Sequence, residues 1–169
     1  MEPILKKFAE DCREILQQGH GREDLVQIRD KLQDVLKNPE FLEKHFGADR
    51  SSEREILFED PQLKFCILAH VYQGPKTGQP HDHGPTWAIY GQAAGETEMT
   101  EYKILTSPSK EQAGRVEKVK NYVLRPGMAE VYTTGQVHAP KREDQTRLVR
   151  LEGQNLAGVK RDPFLLAEV

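Results

Sequence analysis

Three histidines of this 169-residue chain are spaced so that they could hold one metal ion. His81 and His83 flank Asp82 in the stretch Pro80-His81-Asp82-His83-Gly84-Pro85. In extended backbone, side chains two residues apart point the same way, so both imidazoles share a face and Asp82 points away. From there Asp82 could still orient a neighbouring imidazole. A third histidine, His138, lies beyond a turn at the end of the segment from Gly127. Neutral imidazole is the commonest metal-ligand side chain, and a His-x-His pair with one distant His makes a facial set with open positions. Such a set suits Fe(II), or another divalent ion such as Zn, Ni or Mn. An isolated His-x-His pair can equally be two solvated loop histidines; the downstream segment favours the metal.

Two kinds of element must position these residues. Residues 1 to 47 read as about three helices. Ile4, Leu5, Phe8, Ala9, Cys12, Ile15 and Leu16 make one apolar stripe, which Gly19-His20-Gly21 ends. Leu25, Ile28, Leu32, Val35 and Leu36 make a second. Asn38-Pro39-Glu40 starts a third helix, with Phe41, Leu42 and Phe46 to bury. Cys12 is expected in the core, and His20 and His45 in solvated or capping roles at helix ends. From about residue 54 the period changes to that of strands: 55–58, 64–72, 87–94, 97–105, 116–124, 129–133 and 147–151. Residues 74 to 80 form a loop rich in turn formers that delivers the chain to His81. Helices followed by many short strands argue for a mainly β, α+β chain whose sandwich or barrel carries the site.

Composition excludes several functions. The formal net charge is −3, and no basic run suggests a track for nucleic acid. No stretch is apolar enough to span a bilayer, and the N-terminus does not read as a signal peptide. Two cysteines, Cys12 and Cys66, fit reduced thiols in a cytoplasmic setting better than a bridge. The length suggests one domain over residues 1–169, with a barrel over 54–155, burying roughly 70% of its unfolded surface. Monomer and homo-oligomer both remain open.

The two histidine segments together resemble the cupin superfamily, whose fold is a double-stranded β-helix barrel. Its first motif is matched by His81, His83 and Gly95, with Ala88 where the motif has a glutamate and Gly74 one residue off the leading glycine. Its second is matched by Gly127, Gly135 and His138, with Thr133 replacing a proline and Arg142 in place of a frequent asparagine. A cupin that keeps three histidines but lacks the glutamate is similar to the cysteine dioxygenase group of thiol dioxygenases. That resemblance spans roughly residues 50 to 155. It implies an iron enzyme that combines dioxygen with a small thiol or related anion to give a sulfinate, and an arginine, near Arg54 here, that grips the substrate carboxylate.

The departures bear on the reaction. Ala88 stands at the position of the cysteine that some members crosslink to a tyrosine, so that crosslink cannot form. The family's Ser-His-Tyr relay has its counterpart in Leu148, Arg150 and Glu152. No catalytic residue is assignable from sequence. Arg54, Arg142 and Arg150 are the candidates for binding a carboxylate, because guanidinium matches it in a bidentate fork. If Leu148, Arg150 and Glu152 face inward, an arginine and a glutamate are buried together. If Val149 and Leu151 face inward instead, both charges are solvated. His70 is expected as a half-buried strand histidine with one hydrogen bond, and Trp87, Tyr90 and Tyr132 as core or cavity-wall aromatics. A non-thiol three-histidine enzyme and a non-catalytic metal- or anion-binding cupin are the alternatives.

Overall fold

The computed structural model describes residues 1–167. Helices α1 (Pro3–Gln18), α2 (Arg22–Val35) and α3 (Pro39–Phe46) come first. They begin where capping chemistry permits. Glu2 accepts from the backbone of Ile4 and Leu5 at the start of α1, and Asn38 from Glu40 and Phe41 at the start of α3. His45 is a correction to the solvated or capping role expected at a helix end. It is buried, and its Nε2 lies 3.1 Å from the Glu2 carboxylate, joining α3 to the cap of α1.

Among the described residues ten strands follow: β1 (Glu55–Glu59), β2 (Cys66–Tyr72), β3 (Lys76–Thr77), β4 (Ala88–Ala94), β5 (Thr97–Thr106), β6 (Gly114–Leu124), β7 (Ala129–Tyr132), β8 (Val137–Arg142), β9 (Thr146–Glu152) and β10 (Phe164–Leu166). They form two five-stranded sheets, ordered β1-β2-β9-β4-β7 and β10-β6-β5-β8-β3. The sheets curl into a half-barrel, the α+β arrangement expected from the sequence. Three strands escape the sequence pattern. β3 lies inside the expected loop 74–80 and pairs with β8, β8 runs through Pro140, and β10 sits in the tail.

The first sheet is covered on both faces. Ile67, Ala69 and Val71 of β2, Ile89 of β4, Val131 of β7, and Val149 and Leu151 of β9 pack against Phe8, Leu25, Ile28, Leu32 and Phe41 of the helices. The alternate residues of the same strands face the barrel interior, where Ala88, Tyr90 and Tyr132 meet Met99 and Leu124 of the second sheet. Gly91 marks how closely α2 approaches, since a Cβ there would lie 2.8 Å from Leu32 and 2.9 Å from Leu36. Arg147 ties the end of α3 to β9 by donating to the carbonyls of Phe46 and Gly47 at 3.0 and 2.6 Å.

Candidate metal centre

The site is assembled by strand pairing. His81 and His138 stand opposite each other in an antiparallel bridge and exchange both backbone hydrogen bonds at 2.9 Å. Residues so paired project to the same face, which sets their imidazoles side by side at 4.6 Å between ring centroids. His83 follows on the loop that leads into β4 and stacks on His138 at 5.0 Å. The three Nε2 atoms converge: those of His83 and His138 are 3.0 Å apart, and one ligand atom from each of the three lies within 4.8 Å of the others.

Each Nδ1 is already engaged. His81 donates to the carbonyl of Gln79 at 2.8 Å, His138 to that of Gln136 at 3.1 Å, and His83 to the Glu152 carboxylate at 2.9 Å. A proton held on Nδ1 leaves each Nε2 as a bare lone pair aimed at the common centre. Burial keeps the rings neutral. It lowers His81 to about 4, with the hydrogen bond to Gln79 working against it and Arg150 assisting. His83 and His138 are held well below the ordinary imidazole range by burial, then by Arg150 and by the neighbouring histidines respectively. Three neutral lone pairs on one point suit a cation and little else. Among the described residues this is a set that can hold a metal ion.

Glu152 and Ala88 are directly paired across β9 and β4, with Cys66 and Tyr132 continuing the same interior row on β2 and β7. Glu152 thus sits one strand away from Ala88 and acts on the back of His83. Asp82, the expected orienting partner, does not do this. Its carboxylate accepts from the backbone of Gly84 at 2.9 Å, and among the described residues no imidazole hydrogen-bonds to it.

Of the two orientations considered from sequence, β9 takes the one that turns Arg150 and Glu152 inward, with Glu152 buried and Arg150 half-buried, while its other face is covered as well instead of facing solvent. Val149 and Leu151 meet the helices; Leu148, Arg150 and Glu152 face the barrel interior. Arg150 is paired in register with Leu68 and Tyr90, and its guanidinium lies 4.4 Å from the Tyr90 ring centroid. Arg142 is 3% exposed, donates to Thr97 at 3.2 Å, and lies 4.8 Å over the Tyr72 ring. Buried N–H groups of both arginines, Nε of Arg150 and Nη2 of Arg142, have no partner among the described residues. Arg54 is exposed and donates to Asn155 at 2.8 Å. Arg54 and Arg150, with His70, Tyr72, Arg161 and Glu152, line a cavity of about 290 Å³; Arg142 is not in its wall. His70 is more buried than the half-buried strand histidine expected, at 3% exposed; its Nδ1 lies 2.6 Å from the Glu53 carbonyl and 3.4 Å from the Tyr72 hydroxyl, and it stands apart from the three-histidine set.

Tyr90, expected only as a core or cavity-wall aromatic, belongs to the site itself. Its hydroxyl lies 2.9 Å from Nε2 of His83, 3.2 Å from that of His138 and 3.5 Å from that of His81. The available signal was its place two residues after Ala88, on the same face of the same strand. Tyr132 stacks on His138 at 4.2 Å and shares a hydrogen bond with Tyr122 at 2.7 Å, closing the apolar side. Trp87 packs into the helix-facing core instead.

No protein-family model matches the sequence, and no curated protein matches it. Among solved structures, the chain is similar to a cupin superfamily protein from Desulfitobacterium hafniense, at 9% identity over 63% of this chain and 84% of that one, with a TM-score of 0.46. A cupin-2 domain protein from Shewanella frigidimarina is similar at 13% identity over 70% and 96% of the two chains, with a TM-score of 0.45. KdgF from Halomonas sp. is similar at 16% identity over 63% and 82%, with a TM-score of 0.46.

Proposed function

We propose that this protein is a metal-dependent dioxygenase of the cysteine dioxygenase-like type, adding dioxygen to a small thiol or related small anion at His81, His83 and His138. The observation that carries the reading is the conjunction of two features through shared residues. Arg150 and Glu152 line the cationic cavity, and the same two side chains contact Tyr90 and His83 of the histidine centre. A bound ferrous ion would supply the redox chemistry and acidify a coordinating thiol.

The chain's own residues have separable tasks. Glu152 fixes the tautomer and ring orientation of His83, as the Gln79 and Gln136 carbonyls do for His81 and His138. Arg150, with Arg54 at the rim, binds the substrate carboxylate, while Arg142 adds positive potential from within the barrel. Tyr132 and Tyr122 keep water from one side. Leu148, Arg150 and Glu152 are the counterparts of the relay residues, so the tyrosine oxygen that a relay would bring to the centre comes from Tyr90.

A second reading, a three-histidine cupin enzyme acting on a non-thiol anion, is favoured by that same Tyr90 hydroxyl, which places an exchangeable proton at the centre without a relay. Oxygen uptake by the iron-loaded protein with cysteine, 3-mercaptopropionate and cysteamine separates the two. Uptake with the two carboxylated thiols, slower uptake with cysteamine, and a sulfinate product by mass are expected. No uptake with any thiol on a fully iron-loaded sample would sink the dioxygenase reading.

A further inference from the structure

We infer that Tyr90 is a fourth protein ligand of the metal, making the centre a three-histidine, one-phenolate site. This rests on the metal-binding part of the reading above. The side chain is 2% exposed on the barrel-interior face of β4, and its oxygen sits against all three Nε2 atoms at once. Metal–ligand bonds of about 2.0–2.1 Å in a tetrahedron place ligand atoms about 3.3–3.4 Å apart. The three oxygen–nitrogen separations, 2.9, 3.2 and 3.5 Å, straddle that edge.

Hydrogen bonding alone does not account for this placement. A tyrosine hydroxyl carries one proton and can donate to one Nε2 only. Because the Nδ1 positions hold the imidazole protons, the other two Nε2 atoms present lone pairs to the lone pairs of the oxygen. A cation among the four atoms turns that repulsion into four attractive contacts. On coordination the O–H bond breaks, the oxygen–metal bond forms and the proton leaves to solvent, with no change in oxidation state. The Arg150 guanidinium, 4.4 Å from the ring centroid, supplies a positive charge beside the phenolate.

One consequence reaches the substrate. Four protein ligands leave the ion one open position fewer than three histidines alone would. A substrate would then meet the metal through one atom, with its charged tail held by Arg150 and Arg54 in place of the metal.

The test is to strip the protein of metal, reload it with ferric iron, and measure iron per chain, visible absorption and resonance Raman scattering. The expected result is stoichiometric iron with a visible phenolate-to-iron charge-transfer band and enhanced tyrosinate ring modes. The band is lost in Tyr90→Phe and kept in Tyr132→Phe, whose ring also touches His138. Stoichiometric iron without the band, or a band that survives in Tyr90→Phe, overturns this inference alone. The wild-type Raman spectrum decides the matter even if Tyr90→Phe does not fold. Failure of the wild type to retain iron, zinc or cobalt overturns the metal reading together with it.

Discussion

Replacing Glu152 with leucine is expected to weaken metal binding by about 10–100-fold, or about 1.4–2.7 kcal/mol, while the chain still folds. The magnitude follows from how the three ligands are held. His81 and His138 are oriented by backbone carbonyls, which no side-chain substitution removes. His83 is oriented by a carboxylate that is 3% exposed and 2.9 Å from its Nδ1. Losing that acceptor frees the ring to rotate or to change tautomer, and it lowers the basicity of Nε2; the other two ligands are untouched. Leucine is close to glutamate in size and faces Ala88 across the ladder, so the interior has room for it. Glu152→Gln keeps an acceptor but removes the charge. A neutral hydrogen bond is roughly half as strong as a charge-assisted one, so about tenfold is expected there. Competition against a chromophoric chelator gives the affinities, and thermal melts of the metal-free proteins control for folding. Affinity for Glu152→Leu within twofold of wild type, in a folded protein, would refute the claim that Glu152 organises the centre.

Three other perturbations probe the scaffold. Chelation of a metal present at 100 times its dissociation constant removes about 2.7 kcal/mol, so the melting temperature should fall by roughly 5–10 °C; an unchanged melt would argue against a bound ion that the fold depends on. Gly91→Ala puts a methyl within 2.9 Å of Leu32 and Leu36. It should lower stability by about 1–3 kcal/mol in urea unfolding and leave metal stoichiometry unchanged; an unshifted midpoint would mean that α2 does not pack there as described. Asp60 shapes the turn between β1 and β2, accepting from Gln62, Leu63 and the side chain of Arg13 at 2.9, 2.7 and 2.6 Å. Burial alone would raise its carboxyl, but these donors hold it below the ordinary 3.8. Its stabilisation is therefore complete above that value and disappears as pH falls through the lower folded value. Asp60→Asn should cost about 1–3 kcal/mol at neutral pH and flatten the acid limb of stability against pH; parallel wild-type and variant curves would contradict this.

The candidate site was legible to different depths at different residues. His81, His83 and His138 stand out because short-range spacing and a distant motif can be read without knowing the packing. The chemistry of Glu152 could not be read this way. It becomes a partner of His83 only because β9 lies beside β4 and sets Glu152 opposite Ala88, a non-local pairing between strands far apart in sequence. Asp82 illustrates the reverse error, since nearness in sequence suggested a contact that the Gly84 turn takes up instead. Tyr90 was visible as a strand aromatic but not as a neighbour of three histidines. Its reach depends on where the chain crosses from the His83 loop into β4.

By itself, the sequence determined the helical start, the change to strand period near residue 54, and the residue types able to bind a metal. All of these depend on local spacing and side-chain chemistry. Only the tertiary structure decided the orientation of β9. Alternation states that Val149 and Leu151 oppose Arg150 and Glu152, but it cannot state that both faces are covered. That follows from α1, α2 and α3 burying their apolar stripes on the outer face of the first sheet, while the second sheet closes over the inner one. Arg150 and Glu152 are thereby carried to the barrel interior together, next to the histidines and in the wall of the cavity, where they can face a metal centre and an anion.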